Sequence, residues 1–115
     1  YTIDNYLRVV YCIESSDAEA LRQAFMKLYN SWVKEEEVEP MMNVVCLYRD
    51  GKWYLFVIPR GAFRPWQYTA EGDKQLLVSP ATVEVSGLFI TPVKEHFERI
   101  TKEDVVDILS QCTIK

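Results

Sequence analysis

Ten consecutive residues, Pro59-Arg60-Gly61-Ala62-Phe63-Arg64-Pro65-Trp66-Gln67-Tyr68, bring together two arginines, two prolines and three aromatics. A guanidinium presents a rigid fork of donors that matches phosphate or carboxylate. Aromatic rings offer flat faces to a base or a sugar. Proline restricts where its neighbours point, and Gly61 lets the backbone approach a bound group closely. Arg60, Arg64, Trp66 and Tyr68 are therefore the candidate binding residues for a small anionic ligand. The same residue types also occur as ordinary surface side chains, and spacing alone leaves that reading open.

Glu84 and Ser86 form a second candidate pair. On the polar side of a strand they would line a pocket and accept from a ribose or sugar hydroxyl; the plainer reading is an exposed strand face. His96 is the single histidine, and among Lys94, Glu95 and Glu98 it reads as a surface side chain. General acid or base work would need a partner and a cleft that the sequence does not supply. Cys12, Cys46 and Cys112 are far apart in apolar surroundings and read as buried free thiols of a reducing, cytoplasmic compartment. No Cys-x-x-Cys or histidine pair offers a zinc ligand set. No glycine-rich turn entering a helix suggests a dinucleotide or Walker-type site. Neither a cofactor nor a metal is called for.

These residues sit in a chain of 115 residues, 49% hydrophobic, which suits one globular domain over residues 1–115. A net charge of −4 argues against general nucleic-acid binding, which needs a basic face. No apolar run approaches the roughly 18 residues of a membrane span. The start, Tyr1-Thr2-Ile3-Asp4-Asn5, has neither an initiator Met nor signal-peptide character, and we expect a C-terminal portion of a longer chain.

The elements that must position the candidates follow from periodicity. Residues 6–13 read as a strand with Leu7, Val9, Tyr11 and Ile13 on one face. Ser16 and Glu19 have capping-box spacing, and Leu21, Ala24, Phe25, Leu28, Tyr29 and Trp32 recur at helical intervals, which predicts a helix over about 17–33. The acidic run Glu35-Glu36-Glu37-Val38-Glu39 ends it as a solvated cluster. Asp50-Gly51 predicts a tight turn between strands Asn43–Arg49 and Lys52–Ile58. The second of these is apolar on both faces, so it should lie centrally in a covered sheet. Two helices cover one face, and the other should need a second chain or a missing part of this one. Arg60–Lys74 has no clear period and reads as a long loop. Gln75–Val78 reads as a short strand and Thr82–Thr91 as a longer one with a bulge at Gly87. Thr101 and Asp104 cap a final helix whose Val105, Ile108, Leu109 and Cys112 face the core. The fold class is α+β: a mostly antiparallel sheet of four to five strands with two main helices.

The segment Phe56-Val57-Ile58-Pro59-Arg60, the loop after it, Ser79-Pro80-Ala81-Thr82-Val83-Glu84-Val85-Ser86-Gly87 and Lys94-Glu95-His96-Phe97-Glu98 together resemble one family. It is the C-terminal part of histidine-triad-like nucleotidyltransferases and phosphorylases, the group of GDP-galactose phosphorylase and ATP adenylyltransferase, related to galactose-1-phosphate uridylyltransferase. The resemblance covers roughly residues 43–100. In that family a His-x-His-x-Gln motif attacks a nucleotide α-phosphate, chemistry that needs a positioned imidazole. This chain contains no His-x-His, and His96 has unlike neighbours. It also carries Phe63 where related bacterial sequences have a histidine before the Arg-Pro.

The resemblance thus implies a non-catalytic histidine-triad-like half that completes the sheet and substrate pocket of a parent enzyme acting on sugar nucleotides or dinucleoside polyphosphates. Its partners would be the upstream catalytic domain of the same chain, a nucleotide or sugar-nucleotide ligand and a second copy in a homodimer, with no nucleic acid and no membrane. Two other readings stay open: a stand-alone interaction or small-ligand-binding module without catalysis, and a self-contained hydrolase or thiol enzyme.

Overall fold

The computed structural model describes residues 2–3, 8–36 and 38–114. Two short strands, β1 (Thr2–Ile3) and β2 (Arg8–Val9), pair antiparallel with each other. β3 (Tyr11–Ser15) then enters a three-stranded antiparallel sheet with β4 (Met42–Arg49) and β5 (Lys52–Pro59), in the order β3-β5-β4. Asp50 and Gly51 both have positive φ, 51° and 77°, as a two-residue hairpin turn requires. That turn sets the register from Arg49↔Lys52 to Met42↔Pro59. β5 is central, as its two-sided apolarity predicts. Among the described residues the main sheet has three strands, not four or five; Tyr6 and Leu7 of the expected first strand lie outside them.

The helix α1 (Ala18–Trp32) packs its apolar stripe on one sheet face. Leu21, Leu55 and Val57 form the buried centre there, with Ile13, Phe25, Leu28, Trp32 and Trp53 around it. Full burial of each such side chain contributes about 2 kcal/mol. The cap is one residue later than expected. Asp17, not Ser16, accepts from the Glu19 and Ala20 N–H groups, at 3.2 and 3.4 Å. Ser15 Oγ in turn accepts from the Asp17 N–H at 3.0 Å. Glu19 is thereby released to pair with Arg22 at 2.6 Å. Bonds from Arg22, and then Gln23, hold the Glu19 carboxyl down to about 2. The acidic run after α1 is exposed at Glu35, Glu36 and Glu39, while Glu37 lies outside the described residues.

The segment read as a long loop contains the single turn α2 (Trp66–Thr69) and a 3-10 turn over Gly72–Lys74. Gln75–Val78 forms no strand. The expected strand Thr82–Thr91 is instead a short helix, α3 (Thr82–Val85), followed by irregular chain up to α4 (Lys94–Arg99). Local polar bonds favour the turn over an extended chain: Glu84 accepts from the Ala81 N–H at 2.9 Å, and Ser86 Oγ donates to the Thr82 carbonyl at 2.6 Å. An alternating pattern can belong to a helical turn when its carboxylate bonds backward in this way.

α5 (Lys102–Cys112) starts at the Thr101–Asp104 box the sequence predicts, with the Thr101 N–H donating to Asp104 at 2.9 Å. Its Leu109 joins Ile58, Val10 and Val85 in a second core, with Phe56, Phe89 and Val105 beside it. The far face of β5 is therefore covered by α5 and α3, and needs no second chain at Ile58. Ile108 extends this core to Leu76 and Val78.

Candidate functional site

The end of β5 delivers Arg60 into the protein rather than to solvent. Its side chain is buried at 7% exposure and makes four hydrogen bonds. Nε donates to the Cys112 carbonyl at 2.8 Å, and Nη1 to Asn43 Oδ1 at 2.6 Å. Nη2 donates to the carbonyls of Ala62 and Phe63, at 3.0 and 3.2 Å. None of these acceptors is a carboxylate. The negative end of the α5 dipole, at the Cys112 carbonyl, takes the place of a counterion. Gly61 allows the close approach, since a β-carbon there would lie 3.3 Å from the carbonyl oxygens of both Gln111 and Thr113.

Beside this guanidinium opens a cleft of about 460 Å³, lined by Met42, Asn43, Arg60, Phe63, Arg64 and the segment Ser79-Pro80-Ala81. Arg64 is exposed and lies over the Tyr68 ring, 4.2 Å from its centroid, which restrains the head group at the cleft mouth. Asn43 is held from both ends: Oδ1 by Arg60, and Nδ2 by donation to Thr82 Oγ1 at 3.2 Å. The Phe63 ring, 68% exposed, stands at the rim. The lining carries two cations and no carboxylate, thiol or imidazole. Such a surface can hold an anion and stack a ring, and it offers no nucleophile paired with a base. A second cleft of about 400 Å³ lies on the other side of Arg60, against Trp32, Pro40 and Ile114.

The structure brings Arg60, Arg64 and Tyr68 together and leaves three candidates apart. Trp66 has an exposed ring outside the lining; the backbone N–H of Trp66 donates to Gln111 Oε1 at 2.9 Å. Glu84 is buried and spent on the Ala81 N–H, and Ser86 is spent on the Thr82 carbonyl, so neither lines a pocket from a polar strand face. Asn43 and Ser79 are the polar cleft residues that pattern reading passed over. Asn43 pairs in register with Ile58, two residues before Arg60, and it is the one amide in an apolar strand. That was the available signal.

His96 is buried rather than on the surface, and its Nδ1 accepts from the Leu77 N–H at 3.0 Å. It serves as a structural acceptor away from the cleft. Of the three thiols only Cys112 is fully buried; Cys12 is half-buried and Cys46 is exposed on β4. Burial pushes the Cys112 thiol up from its ordinary value, partly opposed by the nearby Arg60 charge. Among the described residues no group of acids, cysteines or histidines could hold a metal ion, and no helix is long and apolar enough to cross a membrane. No protein-family model, curated protein or solved structure matches this chain.

Proposed function

We propose that this domain supplies the anion-holding wall of a pocket for a nucleotide or sugar nucleotide, within a nucleotidyltransferase or phosphorylase whose reacting histidine belongs to another domain of the same chain. The observation that carries the reading is the convergence of Arg60 and Arg64 on one carboxylate-free cleft in a chain of net charge −4. Arg64 is the direct phosphate donor, and Arg60 adds its charge while holding the loop. Asn43 and Ser79 accept or donate to the ligand's hydroxyls, and Phe63 faces its ring. The resemblance of residues 43–100 to the C-terminal part of those enzymes supports the same assignment. With no nucleophile in the lining, the chain on its own binds and does not turn over.

Calorimetric titration with GDP, ADP and inorganic pyrophosphate tests this. Binding should be saturable, stronger for the nucleotides than for pyrophosphate, and weakened about tenfold or more in Arg64→Ala. Absence of any phosphate-dependent heat, or equal affinity in Arg64→Ala, would remove the proposal.

A further inference from the structure

β4 is an outer strand of its sheet, and its free edge has an unusual composition. Every residue from Met42 to Tyr48 is uncharged, with no proline or lysine to block pairing along that side. Val44 is 37% exposed, Leu47 40% and Tyr48 59%, and Cys46 is exposed as well. α1 packs chiefly over β3 and β5, so it does not cover them.

The two-residue turn also settles which backbone groups are free. Arg49 and Lys52 flank it as a hydrogen-bonded pair, and such pairs alternate along an antiparallel ladder. Arg49, Leu47, Val45 and Asn43 therefore turn their N–H and C=O groups toward β5. Met42, Val44, Cys46 and Tyr48 turn theirs outward. Met42 lies at the end of the strand where α3 meets β4 and Thr82 bonds Asn43, and Cys46 is the midpoint of the other three.

Charge runs along this edge in a way that suits a copy of itself. The chain entering β4 carries the exposed acids Glu35, Glu36 and Glu39, and the hairpin tip carries Lys52 together with Arg49, which pairs with Asp50 at 3.3 Å, for a net positive charge. Antiparallel pairing of two copies lays each acidic end beside the other's basic tip.

We propose that β4 is a self-pairing edge through which two copies of this chain join into one six-stranded sheet. The two-fold axis passes at Cys46, so Cys46 faces its counterpart and Val44 faces the partner's Tyr48. Val44, Cys46 and Tyr48 are then hydrogen-bonded, and the half-exposed side chains of the edge meet one another across the axis. An isologous contact of this kind closes at two copies and leaves β3 as the outer strand on each side. The proposal stands on the edge alone and does not depend on what the arginine cleft binds.

Light scattering on the 115-residue chain, from micromolar to submillimolar concentration, should show a dimer. Val44→Lys and Cys46→Lys each set a charge on the edge at an exposed position, and the second sets like charges opposite each other. Each should loosen the dimer about tenfold or more, with the monomer's circular dichroism unchanged. A short bismaleimide reads the register without perturbing the fold: it should link two chains in the wild type and in Cys12→Ser, and none in Cys46→Ser. A monomer at every concentration, a dimer indifferent to both lysines, or a cross-link mapping to Cys12 would each overturn the proposal.

Discussion

The Arg60 guanidinium donates through Nε to the backbone carbonyl of Cys112 at 2.8 Å, joining the end of β5 to the last turn of α5. The Gly61 N–H donates to that same carbonyl at 3.1 Å. One oxygen thus holds both the side chain and the backbone of the loop that follows the central strand. The consequence for the cleft is direct: the loop bearing Arg64 is positioned by α5, on the far side of the chain.

Replacing Arg60 by Met should destabilise the domain by about 3 kcal/mol or more, because it strips partners from four buried or half-buried acceptors at once. Arg60→Lys should recover part of this, since an ammonium cannot span Asn43, Cys112 and Phe63 together. Urea unfolding followed by tryptophan fluorescence measures both. A loss below about 1 kcal/mol for Arg60→Met would mean that the network holds little.

Arg64→Ala should separate binding from folding. Its head group contacts the Tyr68 ring and no carboxylate, so stability should fall by about 1 kcal/mol or less. Loss of one charge-assisted hydrogen bond to phosphate should weaken nucleotide affinity about tenfold to hundredfold. Unfolding curves and calorimetry on the same variant give the two numbers.

Cys112 makes stability depend on alkaline pH. Its folded thiol holds the proton more tightly than the ordinary value of 9.0, through burial. A raised folded value means its contribution is fully present below pH 9.0 and lost as pH rises through the folded value. Unfolding free energy should therefore decline as pH rises above 9.0 in the wild type and decline less in Cys112→Ala. In the native protein a thiol reagent should react first with exposed Cys46 and reach Cys112 only on unfolding.

His96→Phe should leave the Leu77 N–H without its acceptor, at a cost of about 1–3 kcal/mol. His96→Gln, which can offer a carbonyl oxygen to the same donor, should cost less. Hydrogen exchange at the Leu77 amide would show the difference between the two residue by residue.

What could be read from residue order was whatever neighbours in the chain enforce. Asp50-Gly51 dictates the hairpin and its register because few dipeptides accept two positive φ angles. Leu21, Phe25, Leu28 and Trp32 declare α1 through a period that burial on one face requires. Thr101 and Asp104 mark the start of α5 by a bond spanning one turn. Where local signals competed, reading failed: the alternation over Thr82–Ser86 resembled a strand, while Glu84 and Ser86 bonded back to the chain and closed a turn.

The chemistry of the site was legible as residue types and not as roles. Arg60 and Arg64 are equivalent by composition, four positions apart in one loop. The approach of α5, whose Cys112 lies 52 residues beyond Arg60, makes the first a buried tie. The second stays outside, over Tyr68, in the lining of the cleft. Asn43 entered the site only because the hairpin register carries it to the end of β5. Propensity, caps and turns act over a few residues and are written in the order of the chain. Burial and the sharing of acceptors depend on which distant segments meet, and that is settled only when the whole chain packs.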